Sequence, residues 1–360
     1  MQLPEARARL RAIFAKPAPL GDEDTYFLGQ ILFYVETCVI KTIRRRQASL
    51  SGLRTAGHGF LAAWGRGDLT PGCRACLEGS GLWALRASQR CNLSCDFCYY
   101  RGVQFPEMLP HHYKIANGGY ITLDAMKVFL DKQGSGLEAV AWVSHEPCLS
   151  FEKHLAPIQY IHSKGIHQSL YTNGLLLTED MLMALRDSGL EELRINLAAS
   201  HCATPVLRIL RIARKYVKYL CIESPMTHRF FLEFRAHQGE ILDTGLDQIN
   251  CAELHVRANN KDPFQSEPLY CYKYGYVSPI SSRHATYDLI DAAEKEGWRD
   301  IVINDCSNEA KYYRGIRRGL GFGEIDYGPE LELPQEWYLD ALERYRICGL
   351  GVQAAAGRSS

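Results

Sequence analysis

The stretch GLWALRASQRCNLSCDFCYY, residues 81–100, decides the fold because it joins a predicted strand to a cluster of thiols. Residues 81–88 have the pattern of a β-strand, and Cys91, Cys95 and Cys98 follow with the spacing C-x3-C-x2-C. A closed structural zinc site needs four protein ligands, and so does an iron–sulfur cluster that only carries electrons. Three thiols leave one coordination position open, which predicts chemistry at a metal.

Helices and strands alternate after this loop. Helical segments separate five further predicted strands, which are residues 137–147, 167–174, 192–199, 217–224 and 251–258. Such alternation predicts parallel strands with crossover helices. Six βα units are too few for an eight-fold barrel. The sequence therefore predicts an α/β fold, a partial (β/α)6 barrel of the TIM type, with ligands at the carboxyl ends of its strands.

The pattern divides the chain into three predicted regions. Residues 1–76 are expected to form a helical N-terminal extension, because apolar residues recur at helical spacing over 24–46 and Gly and Pro interrupt the pattern after that. Residues 77–262 are the barrel core. Residues 263–360 depart from the βα rhythm, with a helix and a strand at 300–306, and are expected to form a mixed C-terminal extension that covers the barrel mouth.

Composition bounds the class of protein. The chain has 360 residues, 46% hydrophobic and 23% charged, with a formal net charge of zero, so no general attraction to nucleic acid or to a membrane surface is expected. No stretch approaches the ~18 apolar residues of a membrane span, and the first residues lack the apolar core of a secretory signal. The thirteen cysteines are therefore expected to be reduced, cytoplasmic and partly metal-bound.

The cysteine loop resembles a known family. C-x3-C-x2-C after a first barrel strand, with the aromatic Phe97 before the last cysteine, resembles the radical S-adenosylmethionine (radical SAM) superfamily over roughly residues 81–260. The resemblance implies that Cys91, Cys95 and Cys98 hold a 4Fe–4S cluster and that S-adenosylmethionine chelates its fourth iron. One-electron cleavage of that cofactor would give a 5′-deoxyadenosyl radical, which abstracts hydrogen from a substrate.

The resemblance also implies residues that bind the cofactor. The family carries a Gly-Gly-Glu-Pro type segment after its second strand, whose backbone receives the ammonium group of S-adenosylmethionine. This sequence keeps Glu-Pro but lacks both glycines, since the segment reads Ser144-His145-Glu146-Pro147. After the fourth strand Asn196 matches a polar position that often holds the ribose, with Ser200 as its competitor, and Glu223 ends the fifth strand near the adenine position.

A second set of cysteines raises the possibility of another metal. Cys73 and Cys76 form a C-x2-C pair, a spacing that recurs in metal sites, and two further cysteines, Cys271 and Cys306, lie in polar, aromatic contexts. The four could hold an auxiliary iron–sulfur cluster or a structural zinc that ties the two extensions together. The alternative is a free thiol pair with two unrelated thiols.

The C-terminal extension offers candidate substrate contacts, which are Asp305, Ser307, Asn308, Lys311 and Arg314; the same residues also suit a charged helix start. The function predicted is a radical SAM enzyme acting on a small molecule or natural product, with an electron donor such as flavodoxin or ferredoxin. The sequence does not identify a catalytic side chain. Two alternatives stay open: an activase that makes a glycyl radical on a partner enzyme, and a non-catalytic iron–sulfur or zinc scaffold or sensor.

Overall fold

The computed structural model describes residues 8–9, 12–13, 22–57, 59–78, 81–116, 118–133, 136–264, 267–273 and 276–317. Its helices are α1 Asp22–Ser49, α2 Pro71–Glu78, α3 Leu123–Gln133, α4 Glu152–His162, α5 Glu179–Asp187, α6 Leu197–Ser200, α7 Thr204–Ala213, α8 His228–Leu242, α9 Ile280–Glu296 and α10 Asn308–Arg317. Its strands are β1 Leu53–Ala56, β2 Leu61–Trp64, β3 Leu82–Arg86, β4 His112–Ile115, β5 Tyr120–Thr122, β6 Ala139–Trp142, β7 His167–Thr172, β8 Glu192–Ile195, β9 Tyr219–Met226, β10 Gln248–Glu253, β11 Leu269–Tyr272, β12 Tyr276–Pro279 and β13 Val302–Cys306. Short 3-10 turns cover Pro147–Ser150, Ala258–Asn260 and Asp262–Phe264.

One large sheet organises the described residues. Its eleven strands run in the order β1-β2-β13-β10-β9-β8-β7-β6-β3-β4-β5. The strands from β13 to β3 in this order are parallel to their neighbours, whereas β4 and β5 at one side and β1 and β2 at the other pair antiparallel. The prediction of an α/β fold with a parallel sheet is confirmed.

Local sequence explains why the core elements form. Every residue of β6 and β8 is buried, as expected of parallel strands that are covered on both faces. Helix α5 begins after Thr178, whose hydroxyl accepts a hydrogen bond from the Met181 amide at 3.3 Å, and Gly189 beyond its end has a φ of 92°. A side-chain cap and a left-handed glycine are the usual signals for the two ends of a helix.

The parallel part of the sheet has one strand more than predicted. All six predicted strands are present, but β13 also joins them, with Val302 to Cys306 in parallel register against β10. The sequence pattern places the strand at 300–306 in the C-terminal extension, because the regular alternation of strands and helices stops at about residue 262. In the structure, the hairpin β11–β12 and the long helix α9 lie between β10 and β13. The count of six βα units is therefore one short.

The N-terminal extension is not purely helical, which is a second correction. Helix α1 is present, but residues 53–64 form a hairpin, and β2 pairs with β13. Gly57 and Gly59 in the connection have φ values of 58° and 84°, a conformation that glycine adopts without steric cost. The two strands are only four residues long, so their pattern is too short to stand out from a loop.

The sheet runs across both predicted region boundaries. Strand β2 lies before residue 77 and β13 lies after residue 262, and they are neighbours in the sheet. The division at residues 76/77 and 262/263 stays a prediction. Residues 318–360 of the predicted C-terminal extension and most of 1–21 lie outside the described residues.

Helix α2 packs against the parallel strands, contacting β3, β6 and β7. Gly72 permits this close approach, because a Cβ atom at this position would lie 3.1 Å from Glu192 Oε2. Helix α10 packs in turn on α2 and β13. Helix α10 follows β13 and so begins at the carboxyl ends of the strands, where ligands are expected. The start of α2 instead contacts the amino ends of two strands, because Gly72 and Cys73 bond to Glu192 and Gln248, the first residues of β8 and β10.

Candidate cofactor and substrate cavity

The parallel strands end around a cavity of about 800 Å³. Each parallel strand contributes at or just beyond its carboxyl end: the lining includes Arg86, Ser144, His145, Tyr171, Asn196, Glu223, Glu253, His255, Arg257, Lys311 and Arg314. Cys91, Cys95, Cys98 and Phe97 form part of the same lining. The structure thus brings the predicted cysteine loop to the strand ends, as parallel α/β folds require of a ligand site.

Contacts from three other strand ends hold the cysteine loop in place. The Glu146 amide donates to the Arg90 carbonyl at 3.0 Å, after β6. Beyond β7, Asn173 Nδ2 donates to Asn92 Oδ1 at 2.8 Å. Beyond β10, Asn260 Nδ2 donates to the Phe97 carbonyl at 2.8 Å. The loop is therefore fixed to the sheet independently of its thiols.

Burial and neighbouring thiols disfavour the thiolate forms of Cys95 and Cys98. Burial, followed by the neighbouring Cys98 and Cys91, raises the pKa of Cys95 to about 12, and burial also raises the pKa of Cys98. Backbone amides, from Cys95 itself and from Tyr100, supply hydrogen bonds to the Cys95 and Cys98 sulfurs. A cationic iron core would offset the charge of three adjacent thiolates, because metal ligation needs the deprotonated form.

In the part of the chain that the structure describes, no group of three or more His, Cys, Asp or Glu side chains is placed to hold one metal ion. The chemistry of the three loop side chains suits a 4Fe–4S cluster. Thiolates hold such clusters and each binds a different iron, so three cysteines leave the fourth iron open. The loop residues fit this group.

The Ser144-to-Pro147 segment splits into two halves with different surroundings. Ser144 and His145 line the cavity. The Ser144 hydroxyl accepts a hydrogen bond from the Ala87 amide at 3.0 Å, and the His145 ring stacks on Tyr100 with centroids 4.8 Å apart. Burial, followed by the nearby Arg86, lowers the pKa of His145 to about 4, so the imidazole is neutral at pH 7.

Glu146 and Pro147 lie behind the cavity wall. The fully buried Glu146 carboxylate accepts hydrogen bonds from Thr172 Oγ1 at 2.8 Å and the Asn173 amide at 2.9 Å. It also accepts one from the Cys148 amide at 3.0 Å, at the start of the 3-10 turn Pro147–Ser150. Glu146 thus joins the end of β6 to the end of β7. These contacts support the wall, and neither residue is part of the cavity lining.

The residues predicted after the fourth and fifth strands also differ in whether they line the cavity. Asn196 lines the cavity and caps α6, since its Oδ1 accepts from the Ala199 amide at 3.1 Å. Ser200 is buried, donates its hydroxyl to the Leu197 carbonyl at 3.2 Å and is not part of this lining. Glu223 lines the cavity, and Arg194 and Asn250 each donate to its carboxylate at 2.7 Å.

The sequence of this region matches one family model. Residues 85–221, which span β3 to β9 and include the cysteine loop, match the model of the radical SAM superfamily. The matched segment is less than half of the chain, and it is similar to the radical SAM superfamily. Members of this superfamily bind a 4Fe–4S cluster and S-adenosylmethionine. The match confirms the resemblance carried by C-x3-C-x2-C.

Individual relatives of this protein are distant. It is 28% identical over 117 residues to the uncharacterized protein MJ0804 of Methanocaldococcus jannaschii, a match that covers 32% of this chain and 34% of that protein. The chain therefore spans about a third of the length of this curated relative. No helix within the described ranges combines the length and the apolar character needed to cross a membrane.

Solved structures similar to this protein share little of its sequence. One is anSMEcpe with bound AdoMet and the Cp18Cys peptide, with a TM-score of 0.40 and 20% identity over 62% of this chain and 63% of that one. Another is methylornithine synthase (PylB), with a TM-score of 0.41 and 10% identity over 82% of this chain and 74% of that one. Similarity at this level does not bear on the substrate.

The second cysteine set is only partly brought together. Cys73 on α2 is buried, and its sulfur accepts hydrogen bonds from Gln248 Nε2 at 3.0 Å and Arg194 Nη2 at 3.1 Å. Burial raises its pKa to about 11 despite the opposing effect of Arg194. Cys76 lies one turn further along α2, and Arg314 Nη1 donates to its sulfur at 2.9 Å.

Cys306 lies near Cys73 and Cys76, whereas Cys271 lies in a different part of the structure. Burial raises the pKa of Cys306 to about 12, and Cys76 and Cys73 are close enough to contribute to the increase. Cys271 is buried in β11, in the separate hairpin that packs on α1, and burial and then Glu36 raise its pKa. The four sulfurs are not placed around one metal position in the described structure.

Several lining residues were not singled out as cofactor or substrate ligands. His255 and Arg257 fall within the predicted strand 251–258 but follow the observed strand β10, which ends at Glu253. With that boundary, the rule that ligands bind at strand ends would have found them. Of the candidate contacts after 304, Lys311 and Arg314 line the cavity, whereas Asp305, Ser307 and Asn308 are buried outside this lining. Which of these residues reach the cavity depends on β13 being part of the parallel sheet.

Proposed function

We propose that this protein is a radical SAM enzyme that cleaves S-adenosylmethionine reductively and uses the resulting radical on a small-molecule or natural-product substrate. The observation that carries the proposal is the position of Cys91, Cys95 and Cys98, on one anchored loop in the lining of the cavity at the strand ends. These three thiolates would hold the 4Fe–4S cluster. When bound, the cluster and S-adenosylmethionine supply a one-electron C–S cleavage and a 5′-deoxyadenosyl radical that removes a hydrogen atom from the substrate.

The fold would contribute binding and orientation. We propose that the strand end at Ser144 and His145 contacts the methionine part of the cofactor, mainly through main-chain atoms. Asn196 and Glu223 would contact its nucleoside part, and Phe97 would pack against it from the cysteine loop. We further propose that the parallel strands curve as a partial barrel around this site. Holding the cofactor carbon and the substrate hydrogen at a fixed distance is the largest contribution a protein makes to such a reaction.

The aromatic wall would exclude water and stray hydrogen donors. Tyr99 and Tyr100 pack with ring centroids 4.4 Å apart, and Phe105 meets Tyr100 edge to face at 5.3 Å. Neutral His145 completes this wall by stacking on Tyr100. A flavodoxin or ferredoxin would supply the electron from outside the cavity.

Anaerobic reconstitution tests the proposal. Reconstituted protein with S-adenosylmethionine and a strong reductant should bind about four irons per chain and release 5′-deoxyadenosine, which chromatography detects. Cys98→Ala should release none. Cys38→Ala, on α1 and outside the cavity, is the matched control and should behave as wild type.

The rival functions give different outcomes. A non-catalytic iron–sulfur or zinc scaffold would bind metal without releasing 5′-deoxyadenosine. A glycyl-radical activase would release it at full rate only with its protein partner, and would leave a glycyl radical that electron paramagnetic resonance detects. The predicted second metal site named Cys73, Cys76, Cys271 and Cys306, and the structure places Cys271 in a separate hairpin. A metal held by the other three cysteines would raise the iron count to about eight or add one zinc.

A further inference from the structure

One side of the cavity is formed by a group of nitrogen-bearing side chains, His255, Arg257, Lys311 and Arg314, here named the cationic wall. His255 and Arg257 follow β10. Lys311 and Arg314 are three residues apart on α10, so they lie on the same face of that helix. The Lys311 ammonium donates to the Glu253 carbonyl at 3.2 Å, two residues before His255, which joins the two halves of the wall.

The positive charges of Lys311 and Arg314 are not neutralised by carboxylates within the described ranges. Lys311 donates to two neutral oxygens, the Glu253 carbonyl at 3.2 Å and Asn308 Oδ1 at 3.3 Å. Arg314 donates to the sulfur of Cys76 at 2.9 Å. A half-buried cation without a carboxylate partner is uncommon in a folded protein, because desolvation is costly unless an anion compensates it.

The two carboxylates that line the cavity are already engaged elsewhere. Glu253 accepts the Asn308 amide at 2.7 Å, bonds Tyr270 and lies 3.5 Å from Arg283. Glu223 is paired with the buried Arg194 at 2.7 Å. Neither of these carboxylates forms an ion pair with Lys311 or Arg314 among the described residues. Each is instead directed at an arginine that it shares with other carboxylates, since Arg194 also pairs with Glu192 and Arg283 also pairs with Asp305 and Glu309.

His255 is an independent sign of a missing ligand. Both of its ring nitrogens are buried, and neither has a hydrogen-bond partner among the residues that the structure describes. Its ring is held edge-on between Tyr99 and Tyr276, with centroid distances of 6.3 and 5.7 Å. Native structures leave few buried polar atoms unsatisfied, so an unpaired imidazole in a cavity lining points to a group that binds there.

We propose that the substrate carries an anionic group, a carboxylate or a phosphate, that binds at the cationic wall and accepts a hydrogen bond from His255. This inference rests on the proposed function, because it treats the cavity as the substrate chamber. Both anions present oxygens that accept several charge-assisted hydrogen bonds at once, which matches a wall of N–H donors. The wall would thereby set which end of the substrate faces the cysteine loop.

Calorimetric titration of the reconstituted protein, loaded with S-adenosylmethionine, tests the inference. The probes are malonate for a carboxylate and inorganic phosphate for a phosphate, each at constant ionic strength against chloride. At least one should bind wild type, and the tighter probe identifies the group. Lys311→Gln should weaken that binding about tenfold or more, as loss of a charge-assisted hydrogen bond implies. Lys218→Gln, an exposed lysine before β9 at the opposite end of the strands, should leave it unchanged.

His255→Phe is the second variant, because it keeps the ring between Tyr99 and Tyr276 and removes only the nitrogens. It should also weaken the binding of the tighter probe. Failure of both probes to bind wild type would overturn the inference, and so would wild-type anion affinity in Lys311→Gln.

Measuring the affinity for S-adenosylmethionine tests one other explanation, which is that the cationic wall binds the carboxylate of the cofactor itself. If the wall served the carboxylate of the cofactor, Lys311→Gln would weaken cofactor binding by the same factor, which would overturn the inference. Cofactor affinity within about twofold of wild type is the expected result. Anion binding without any release of 5′-deoxyadenosine would count against the proposed function and leave the anion site standing.

Discussion

The two cysteine groups of this protein differ in what surrounds their sulfurs. Cys91, Cys95 and Cys98 lie on a loop, and backbone amides supply hydrogen bonds to two of these sulfurs. Cys73 and Cys76 lie on a helix, and side chains of Arg194, Gln248 and Arg314 donate to their sulfurs. Backbone donors leave room for a metal in front of a thiolate, whereas these side chains would have to turn away from the sulfurs before a metal could bind there.

The comparison explains why spacing alone does not decide whether the second group binds a metal. C-x2-C is compatible with metal binding wherever it occurs, but the partners of a sulfur depend on which strands lie near it. Here Arg194 of β8 and Gln248 of β10 donate hydrogen bonds to Cys73. The iron content of cysteine variants is the most direct test of this difference between the two groups.

The largest expected effect is on iron binding. Cys95→Ala should lose the reconstituted iron, about four per chain, and lower 5′-deoxyadenosine release by ~100-fold or more, because a lost ligand costs at least as much as a lost outer-shell partner. Cys76→Ala should keep the bound iron and the release of 5′-deoxyadenosine at the wild-type level. Iron analysis and chromatography measure the two quantities. Equal loss of iron in the two variants would erase the distinction between the groups.

Removal of the buried cation beneath Cys73 should have the next largest effect. Arg194 is ion-paired with Glu192 and, at 2.7 Å, with Glu223, so Arg194→Met leaves buried carboxylates uncompensated. We expect the free energy of unfolding to fall by about 3–5 kcal/mol. Arg186→Met, in an exposed pair with Asp187, is the control and should cost about 0–1 kcal/mol. Urea denaturation of the metal-free protein measures both, and similar values would contradict the prediction.

Truncation of Cys73 itself should have a smaller effect. Cys73→Ala leaves the donors of Gln248 and Arg194 without their sulfur acceptor, which should lower the free energy of unfolding by about 1–3 kcal/mol. Cluster content should not change, in contrast to the variants of the loop. Denaturant midpoints and iron content of the same preparation check both statements. Loss of iron without loss of stability would assign Cys73 to a metal.

The smallest expected effect concerns His145. Because burial and Arg86 lower its pKa to about 4, the ring is neutral throughout pH 6–8 and gains a proton only as the pH falls towards 4. His145→Gln should therefore weaken S-adenosylmethionine binding by only about twofold to fivefold, with the same factor at pH 6 and pH 8. Equilibrium dialysis at the two pH values measures this. A factor that grows at pH 6 would mean that a charged imidazole binds the cofactor.

Sequence reasoning found the elements whose signals are local. The strand at 137–147 contains the continuous apolar run 139–143, and Thr178 and Gly189 mark the ends of α5. The cysteine loop was found because three thiols at fixed spacing carry a chemical meaning of their own. The loop also fixed the position of the cavity, since the strand that precedes it places it at the carboxyl edge.

Features that depend on long-range pairing were not predictable in the same way. Strand β13 has an ordinary strand pattern, but nothing in residues 302–306 states that its neighbour is β10 and not an element of the extension. The roles of Lys311 and Arg314 followed from that pairing. The difference between Cys73 and Cys271 likewise depends on which strands α2 and β11 pack against.

The pairing of β2 with β13 has a consequence for the order of events during synthesis. Trp64 pairs with Ile303, so the hairpin β1–β2 waits for its partner strand until about 240 further residues have been made. At 5–20 residues per second this interval lasts roughly 12–50 s. The strands β3 to β10 can pair with one another as they emerge from the ribosome. The edge of β10 then stays open, and is exposed to association with other chains, until β13 arrives.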